Sequence, residues 1–438
     1  MKSLRSALDQ FLSVNRALSA DLDYGAFVDA FQEEMTAGLQ GKPSSLPMIP
    51  TYIETEREIP AGQRVLALDA GGTNLRAAVV SFDASGSPVV EDLSRHRMPG
   101  IEREVSREEF FATLAGAILP LARRADRIGF CFSYPAEIQP DKDGRLVQFT
   151  KEIKAKGVEG QLIGAGLAEA LTAQGAPRPS RIVLVNDTVT TLLAARNGEK
   201  GRRFSAYVGL VCGTGLNSAY VESNRAISKL RGPDPAGSMV VNMESGSFAR
   251  GPVGAGVDGG FDATTANPSR YRHEKMISGA YLGALCLFAV RRAASDGLLS
   301  SAAGPALERL PSLSTQELDQ FLRTPDDRGH PLGAACASLP DTDAVLVYRV
   351  CDALVERAAS MVAVTLAAVV LKTGAGQDPR YPVRIAADGT TFWQLRSFRD
   401  RVDCRMRALL SGGRERAYEI ASVTDAPLLG AAIAALTN

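Results

Sequence analysis

The chain is 438 residues long, 45% apolar and 22% charged, with Lys+Arg and Asp+Glu balanced at 49 each. That length suits two or three domains' worth of core, and the charge balance excludes a molecule built around nucleic acid or an anionic membrane surface. Six cysteines without a Cys-x-x-Cys pair, and three scattered histidines (His96, His273, His330), argue against a disulfide framework or a zinc centre and fit reduced thiols in a cytoplasmic protein.

The first residues, MKSLRSALDQFLSV, carry apolar side chains at helical spacing but no unbroken hydrophobic stretch, so they do not read as a secretory signal. Helical periodicity over 3–40 ends near Gly38 and Gly41, and a connector, GKPSSLPMIPTYI, follows. From 64 to 90 the pattern changes to strands around LALDAGGTNLRAAVV, where Gly-Gly is a two-residue hairpin signal. Ser106 and Glu109 form a capping box before the helix EEFFATLAGAILPLA. RIGFCF is a strand that runs into the loop Ser133-Tyr134-Pro135, and RIVLVND (181–187) is a strand followed by the helix TVTTLLAARNG.

FSAYVGLVCGTGLNSAYVE repeats the strand, glycine turn and strand of the opening motif. Residues 223–272, rich in Gly, Pro, Ser and Asn, read as loops, and helices predominate from 274 to about 372. The apolar run MVAVTLAAVVL (361–371) falls short of the ~20 residues a membrane span needs and reads as a buried helix. A last strand, YPVRIAADGTTF, precedes further mixed structure and the apolar C-terminal helix APLLGAAIAAL. Two α/β halves with a cleft between them follow from this order.

Gly254-Ala-Gly256-Val-Asp-Gly259 matches a dinucleotide-binding fingerprint, but no strand precedes it and no clear helix follows, so it reads as a loop. In the opening turn, glycines let backbone N–H groups approach a phosphate, Thr73 and Asn74 add neutral donors, and Asp69 is placed to hold Mg²⁺ directly or through water. Gly213-Thr214-Gly215 with Asn217 offers the same chemistry, so the two turns suggest a grip on one polyphosphate from both sides. Asp187 closes an apolar strand, a cleft position in an α/β sheet that suits a general base. The same residue also fits a plain helix N-cap. Ser133, Thr150, Lys151, Asn242, Glu244 and Glu274 supply the mixture of groups that a polyhydroxylated ligand requires.

LALDAGGTNLRAAVV, FCFSYPAE, FTKEIKAKGVEG, LVNDTV, VGLVCGTGLNSAYVE, NMESGSF and EKMISGAYLG follow one another in the order of the hexokinase family's motifs. The chain resembles that family from about residue 5 to its end. The resemblance implies a two-domain actin-like ATPase fold (ribonuclease H-like, α/β) with a central cleft. Its small domain would comprise residues 64–187 plus 426–438, and its large domain residues 1–63 plus 188–425. It implies transfer of the ATP γ-phosphoryl group, with Mg²⁺, to the 6-hydroxyl of a hexose, glucose first.

By the same resemblance Asp187 is the base, and Lys151 offers its ammonium to the transferring group. Ser133, Pro135, Thr150, Lys151, Asn186, Asp187, Asn217, Glu244 and Glu274 bind sugar. Asp69, Gly71, Gly72, Thr73, Asn74, Gly213, Thr214, Gly215, Gly389 and Thr390 hold nucleotide, with Asp69 also at the metal. The partner is a small-molecule hexose, with no nucleic acid, no membrane and no obligatory protein. The chain departs from the family pattern at Phe149, at Glu152-Ile153, at Ser245 and at the turn TDAPLLGAA before the last helix. Another hexose, another donor, or a sugar sensor without turnover are the alternatives.

Overall fold

The computed structural model describes residues 2–149, 153–197, 201–252 and 256–438. Helical periodicity at the start resolves into α1 (Lys2–Val14) and α2 (Tyr24–Leu39), with a break between them; Asp23 caps α2 by accepting from the Ala26 N–H at 2.9 Å. The connector enters β1 (Ile49–Pro50), and β2 (Val65–Gly71), β3 (Asn74–Phe82) and β4 (Pro88–Arg97) form an antiparallel meander. Then follow β5 (Val105–Ser106), α3 (Arg107–Ile118), β6 (Arg127–Phe132), β7 (Ala136–Ile138), β8 (Gly144–Leu146), β9 (Ala155–Lys156), α4 (Ile163–Ala173) and β10 (Arg181–Val185). Ser106 accepts from the Glu109 N–H at 3.2 Å, but the Glu109 carboxylate pairs with Arg103, so only half of the capping box forms.

After α5 (Asp187–Arg196) come β11 (Ala206–Cys212), β12 (Leu216–Ser223) and β13 (Ser238–Asn242). Helices follow: α6 (Val257–Ala263), α7 (Arg272–Ile277), α8 (Leu282–Ser295), α9 (Ala303–Glu308), α10 (Thr315–Arg323), α11 (Pro331–Cys336) and α12 (Asp341–Thr373). The chain ends with β14 (Val383–Asp388), α13 (Thr390–Gln394), α14 (Phe398–Leu409), β15 (Tyr418–Ala421) and α15 (Ala426–Thr437).

Three loop or strand expectations change. β13 and α6 lie inside the stretch read as loops, because SMVVN pairs with β12 and β1 once these are brought beside it. Since α6 begins right after Gly256, a helix does follow the apparent dinucleotide fingerprint; it spans seven residues, and Gly254 lies outside the described residues. The strand read as the last one stops at Asp388, Thr390 already belongs to α13, and a further strand, β15, follows.

Among the described residues, the larger strands form a five-stranded sheet in the order β10-β6-β2-β3-β4 and a six-stranded sheet in the order β1-β13-β12-β11-β14-β15. The first sheet packs α3 and α4 against Leu66, Leu68, Phe130 and Phe132. The second packs against α2, α8 and α12 through Val208, Leu210, Phe248 and Val362. Between them lies a third apolar cluster built from α5 and α15, with Val189, Leu192, Ala431 and Ala434 facing Val65, Cys131 and Val183.

At 33 residues, α12 is long and apolar enough to cross a membrane, yet 89% of its most apolar 18-residue window is buried inside the protein. The surface a bilayer would cover is already covered by α2, α8 and α14. Within the same layer Arg357, wholly buried, makes a two-pronged pair with Asp258 at 2.9 and 2.7 Å. A charge so placed persists only because its partner is buried with it.

Candidate active site

Sheet order brings the ends of β2, β6, β10, β11 and β14 and the heads of α5 and α15 into one region between the halves. The turn after β2 is Gly72-Thr73, not Gly-Gly: Gly71 pairs with Asn74, and Gly72 takes the positive φ of +62° that a tight hairpin demands. Tyr134, in the loop after β6, donates its hydroxyl to the Gly72 carbonyl at 2.7 Å and so fixes the turn from below. The Ser133 N–H donates to the Ala70 carbonyl at 3.1 Å, which holds Ser133 beside the same turn. Thr73 and Asn74 stay exposed, and the Asn74 amide donates to the Thr73 hydroxyl at 3.1 Å.

The second turn, Gly213-Thr214-Gly215, joins β11 to β12, whose Cys212 and Leu216 are paired. The Gly213 carbonyl accepts from Thr391 Oγ1 at 2.9 Å and from the Gly279 N–H at 2.7 Å. A Cβ on Gly389 would stand 2.3 Å from the Cys212 carbonyl oxygen, so the Gly389-Thr390 turn lies directly on the Gly213 turn. Thr214 and Thr390 are exposed at the two tips. Hydroxyls and backbone N–H groups at stacked glycine turns are the donors a polyphosphate takes.

Asn186 and Asp187 sit where β10 passes into α5. The N-cap is Asn186, not Asp187: the Asn186 side chain accepts from the Thr188 N–H at 3.0 Å, and Asp187 is the first helical residue. Its Oδ1 also accepts from the Thr188 N–H, at 2.8 Å. Negative charge in a first helical turn is favoured by the helix dipole. From the other sheet, Asn217 Nδ2 reaches Asn186 Oδ1 at 3.3 Å, Thr188 Oγ1 at 3.2 Å, Asn242 Oδ1 at 2.7 Å and Glu244 Oε1 at 3.3 Å.

Asn242 in turn donates to Glu244 Oε1 at 2.9 Å. Glu244 holds a left-handed backbone, φ 56°, a strained state for a non-glycine residue that the surrounding bonds enforce. Glu274 Oε2 accepts from the Leu216 N–H at 2.9 Å, so it ties α7 to the second glycine turn. Burial pushes the Glu244 carboxyl up to about 7; the Asn242 bond opposes this, and the charges of Asp187 and Glu274 add to it. These three carboxylates therefore share one electrostatic neighbourhood.

Asp69 lies within β2, directly opposite Arg76 on β3. Arg76 donates to Asp69 Oδ2 from Nε at 2.9 Å and Nη2 at 2.8 Å, and from Nη1 to Asp425 at 3.0 Å. Burial still holds the Asp69 carboxyl above its usual range against the pull of Arg76, with Asp388 pushing the same way. No set of three His, Cys, Asp or Glu side chains arranged for a metal occurs among the described residues. Asp69 and Asp388 nonetheless fit Mg²⁺ that arrives with a nucleotide, because that ion takes one or two carboxylates and completes its shell with phosphate oxygens and water.

The structure thus gathers Ser133, Asn186, Asp187, Asn217, Glu244 and Glu274 around one region. It places Asp69, Gly71, Gly72, Thr73 and Asn74 along one hairpin, and Gly213, Thr214, Gly215, Gly389 and Thr390 on two turns that lie against each other. Pro135 only accepts the Val147 N–H through its carbonyl, at 2.9 Å. Thr150 and Lys151 lie outside the described residues. Arg76, Tyr134 and Thr188 escaped the sequence reading. Arg76 had a signal: with a two-residue turn at 72–73, position 76 must face position 69.

Sequence profiles described as hexokinase match residues 14–197 and 207–437. Hexokinase-3 of Rattus norvegicus is 30% identical over 381 residues, covering 82% of this chain and 40% of the relative. Against such mammalian relatives the chain spans about two fifths of their length. Hexokinase-5 of Oryza sativa subsp. japonica is 29% identical over 451 residues, 94% of this chain and 85% of the relative. Among solved structures, a hexokinase from Schistosoma mansoni complexed with glucose superposes with a TM-score of 0.80 at 24% identity, over 99% of this chain and all of that one. A second hexokinase structure gives 0.78 at 23% over both full lengths. The fold is that of the actin-like sugar kinases.

Proposed function

The chain belongs to the hexokinase family, and we propose that it transfers the γ-phosphoryl group of ATP to the 6-hydroxyl of a hexose, glucose being the first candidate. The observation that carries this reading is the shared network in which Asn217 and Glu244, from one half, meet Asn186 and Thr188, at the head of α5, from the other. A ligand with many hydroxyls exchanges its own O–H groups into such a network of amides and carboxylates.

Asp187 is the general base in this proposal. As the sugar hydroxyl attacks the γ-phosphorus, its proton passes to the Asp187 carboxylate and the bond to the ADP oxygen breaks. Ser133, Thr150, Lys151, Asn186, Asn217, Glu244 and Glu274 orient the hexose, and the turns at 71–74, 213–215 and 389–390 hold the phosphates. Mg²⁺ bound with the nucleotide would supply positive charge near Asp69. In this proposal Lys151 offers its ammonium to the charge on the transferring phosphoryl group. Sugar contacts from both halves favour closure, which excludes water and limits hydrolysis of ATP without sugar. Six free cysteines support placing the reaction in a reducing cytoplasm.

The test is ADP release by the purified chain with Mg-ATP, with and without glucose, in a coupled assay. ADP formed only with hexose is the expected result. Hexose binding without turnover on any phosphoryl donor would make the protein a sensor and overturn the kinase reading.

A further inference from the structure

A cavity of about 570 Å³ opens between α14 and β15, and it shares no residue with the candidate active site. From α14, Arg399, Asp403 and Arg407 reach it at four-residue spacing, which is one face of a helix. The facing wall is the unbroken stretch Arg416–Ile420. Consecutive strand residues line one cavity only along an open edge, and β15 is the outermost strand of its sheet. Leu410, Ala417 and Ile420 give the cavity an apolar floor.

Its two carboxylates are already engaged. Asp403 accepts from Arg407 Nε at 2.9 Å and from the Tyr418 hydroxyl at 2.8 Å. Glu419 pairs with Arg202 and, at 3.4 Å, with Arg384. Two guanidinium groups form no salt bridge among the described residues, although the charge of Arg416 acts on the neighbouring Glu415 carboxylate. Arg399 lies over the Trp393 ring, 5.5 Å from its centroid, and has no carboxylate partner among the described residues. Arg416 donates from Nη1 to the Glu415 carbonyl at 2.7 Å, and its buried Nε has no partner.

We infer that this cavity binds a small phosphate ester between the guanidinium forks of Arg399 and Arg416, apart from any nucleotide in the cleft. Arginine forks match phosphate oxygens in pairs. The volume lies within the ~300–1,000 Å³ of small-molecule sites, and the apolar floor suits the organic body of an ester. Both walls also lead to the cleft. Trp393, under Arg399, donates its ring N–H to the Ala387 carbonyl at 2.9 Å, next to Asp388-Gly389-Thr390. β15 runs on toward Asp425, the partner of Arg76. An occupant is therefore positioned to shift the affinity for the phosphoryl donor; this last step alone rests on the kinase reading.

Trp393 is the only tryptophan in the chain, so its emission reports on the Arg399 contact. The full-length protein is titrated without Mg²⁺ with inorganic phosphate, glucose 6-phosphate and ADP in separate arms, and the tightest binder identifies the source of the phosphate. The expected result is a saturable change in emission that weakens about tenfold or more in Arg416→Ala, the loss of a charge-assisted pair, and is partly restored in Arg416→Lys. Folding of both variants is checked by their thermal midpoints. Arg416 is not one of the candidate active-site residues, so hexose-dependent turnover without added effector stays within about twofold of the wild type. Identical titration curves for wild type and Arg416→Ala would assign the signal to the cleft and overturn the site, as would no change with any of the three probes.

Discussion

Arg76 and Asp425 stand 349 positions apart in sequence and 3.0 Å apart in space. The same guanidinium holds Asp69, so one side chain fastens the strand that enters the first glycine turn to the head of α15. Its two arms differ in environment: the Asp69 side chain is 13% exposed and that of Asp425 is 47% exposed. Removing the partner of a buried carboxylate costs far more than removing a solvated one. Arg76→Ala is expected to lower stability by about 3 kcal/mol, and Asp425→Ala by less than about 1 kcal/mol. Urea unfolding midpoints of the two variants measure the difference. Equal losses would show that Asp69 is not the arm that matters.

Asp187 Oδ1 accepts from the Thr188 N–H at the head of its own helix, a bond that the side-chain oxygen of Asn can also accept, so Asp187→Asn keeps both the shape and this contact. The proposed role then separates cleanly from a structural one. Asp187→Asn should lower kcat by roughly 10²- to 10⁴-fold, the range for a lost general base, while glucose still binds with an affinity measurable by calorimetry. Turnover within threefold of the wild type would remove Asp187 from the chemistry.

How much of this was readable in one dimension varies with the range of the interaction. The two glycine turns, the strand that leads into Asn186-Asp187 and the apolar last helix follow from local pattern, and the structure has all of them, although β10 already ends at Val185. What failed depended on long-range partners. The sequence shows an Asp before a helix but not that Asn186, one residue earlier, reaches the Thr188 N–H first. Residues 238–242 resemble a loop until β12 and β1 supply their hydrogen bonds. Asn242 was visible as a residue, but its part in holding Glu244 in a left-handed backbone depends on Asn217, 25 positions away. The motif likeness proposed the members of the candidate site, and only the three-dimensional structure shows which of them hold one another.

The Glu244 carboxyl offers a test in pH. An unfolded glutamate titrates near 4.5, whereas burial brings Glu244 to about 7 in the fold. Between those values the folded chain keeps a proton that the unfolded chain has released, so stability falls as pH rises. The contribution is complete below about pH 4.5 and gone once pH has risen through about 7, an effect on the order of 3 kcal/mol. In Glu244→Gln that slope should vanish from the urea midpoints recorded across the window. Hexose affinity should move the other way, rising toward pH 7 and above, because the ionised carboxylate is the better acceptor of sugar hydroxyls. A Gln variant with the wild-type pH slope would place the titration elsewhere.

His273 titrates in the opposite sense, and the two effects overlap. Its ring is fully buried against Phe248 and Phe31, with centroids 5.5 and 6.1 Å away, and Nε2 lies 3.0 Å from Thr365 Oγ1. Burial drives its pKa from 6.5 down to about 3. As pH falls below 6.5 the unfolded chain takes up a proton that the folded chain refuses, so stability present above 6.5 drains away toward pH 3. The full effect is on the order of 5 kcal/mol. From about pH 4.5 to 6.5 it runs against the Glu244 slope, so in the wild type each group masks part of the other's effect. His273→Leu uncovers the difference. Thr365 keeps its bond to the Met361 carbonyl at 3.2 Å, so no hydroxyl is orphaned, and the variant should gain stability relative to wild type as pH drops from 6.5 to 4. Parallel pH curves for His273→Leu and wild type would show that the imidazole is not held neutral by its burial.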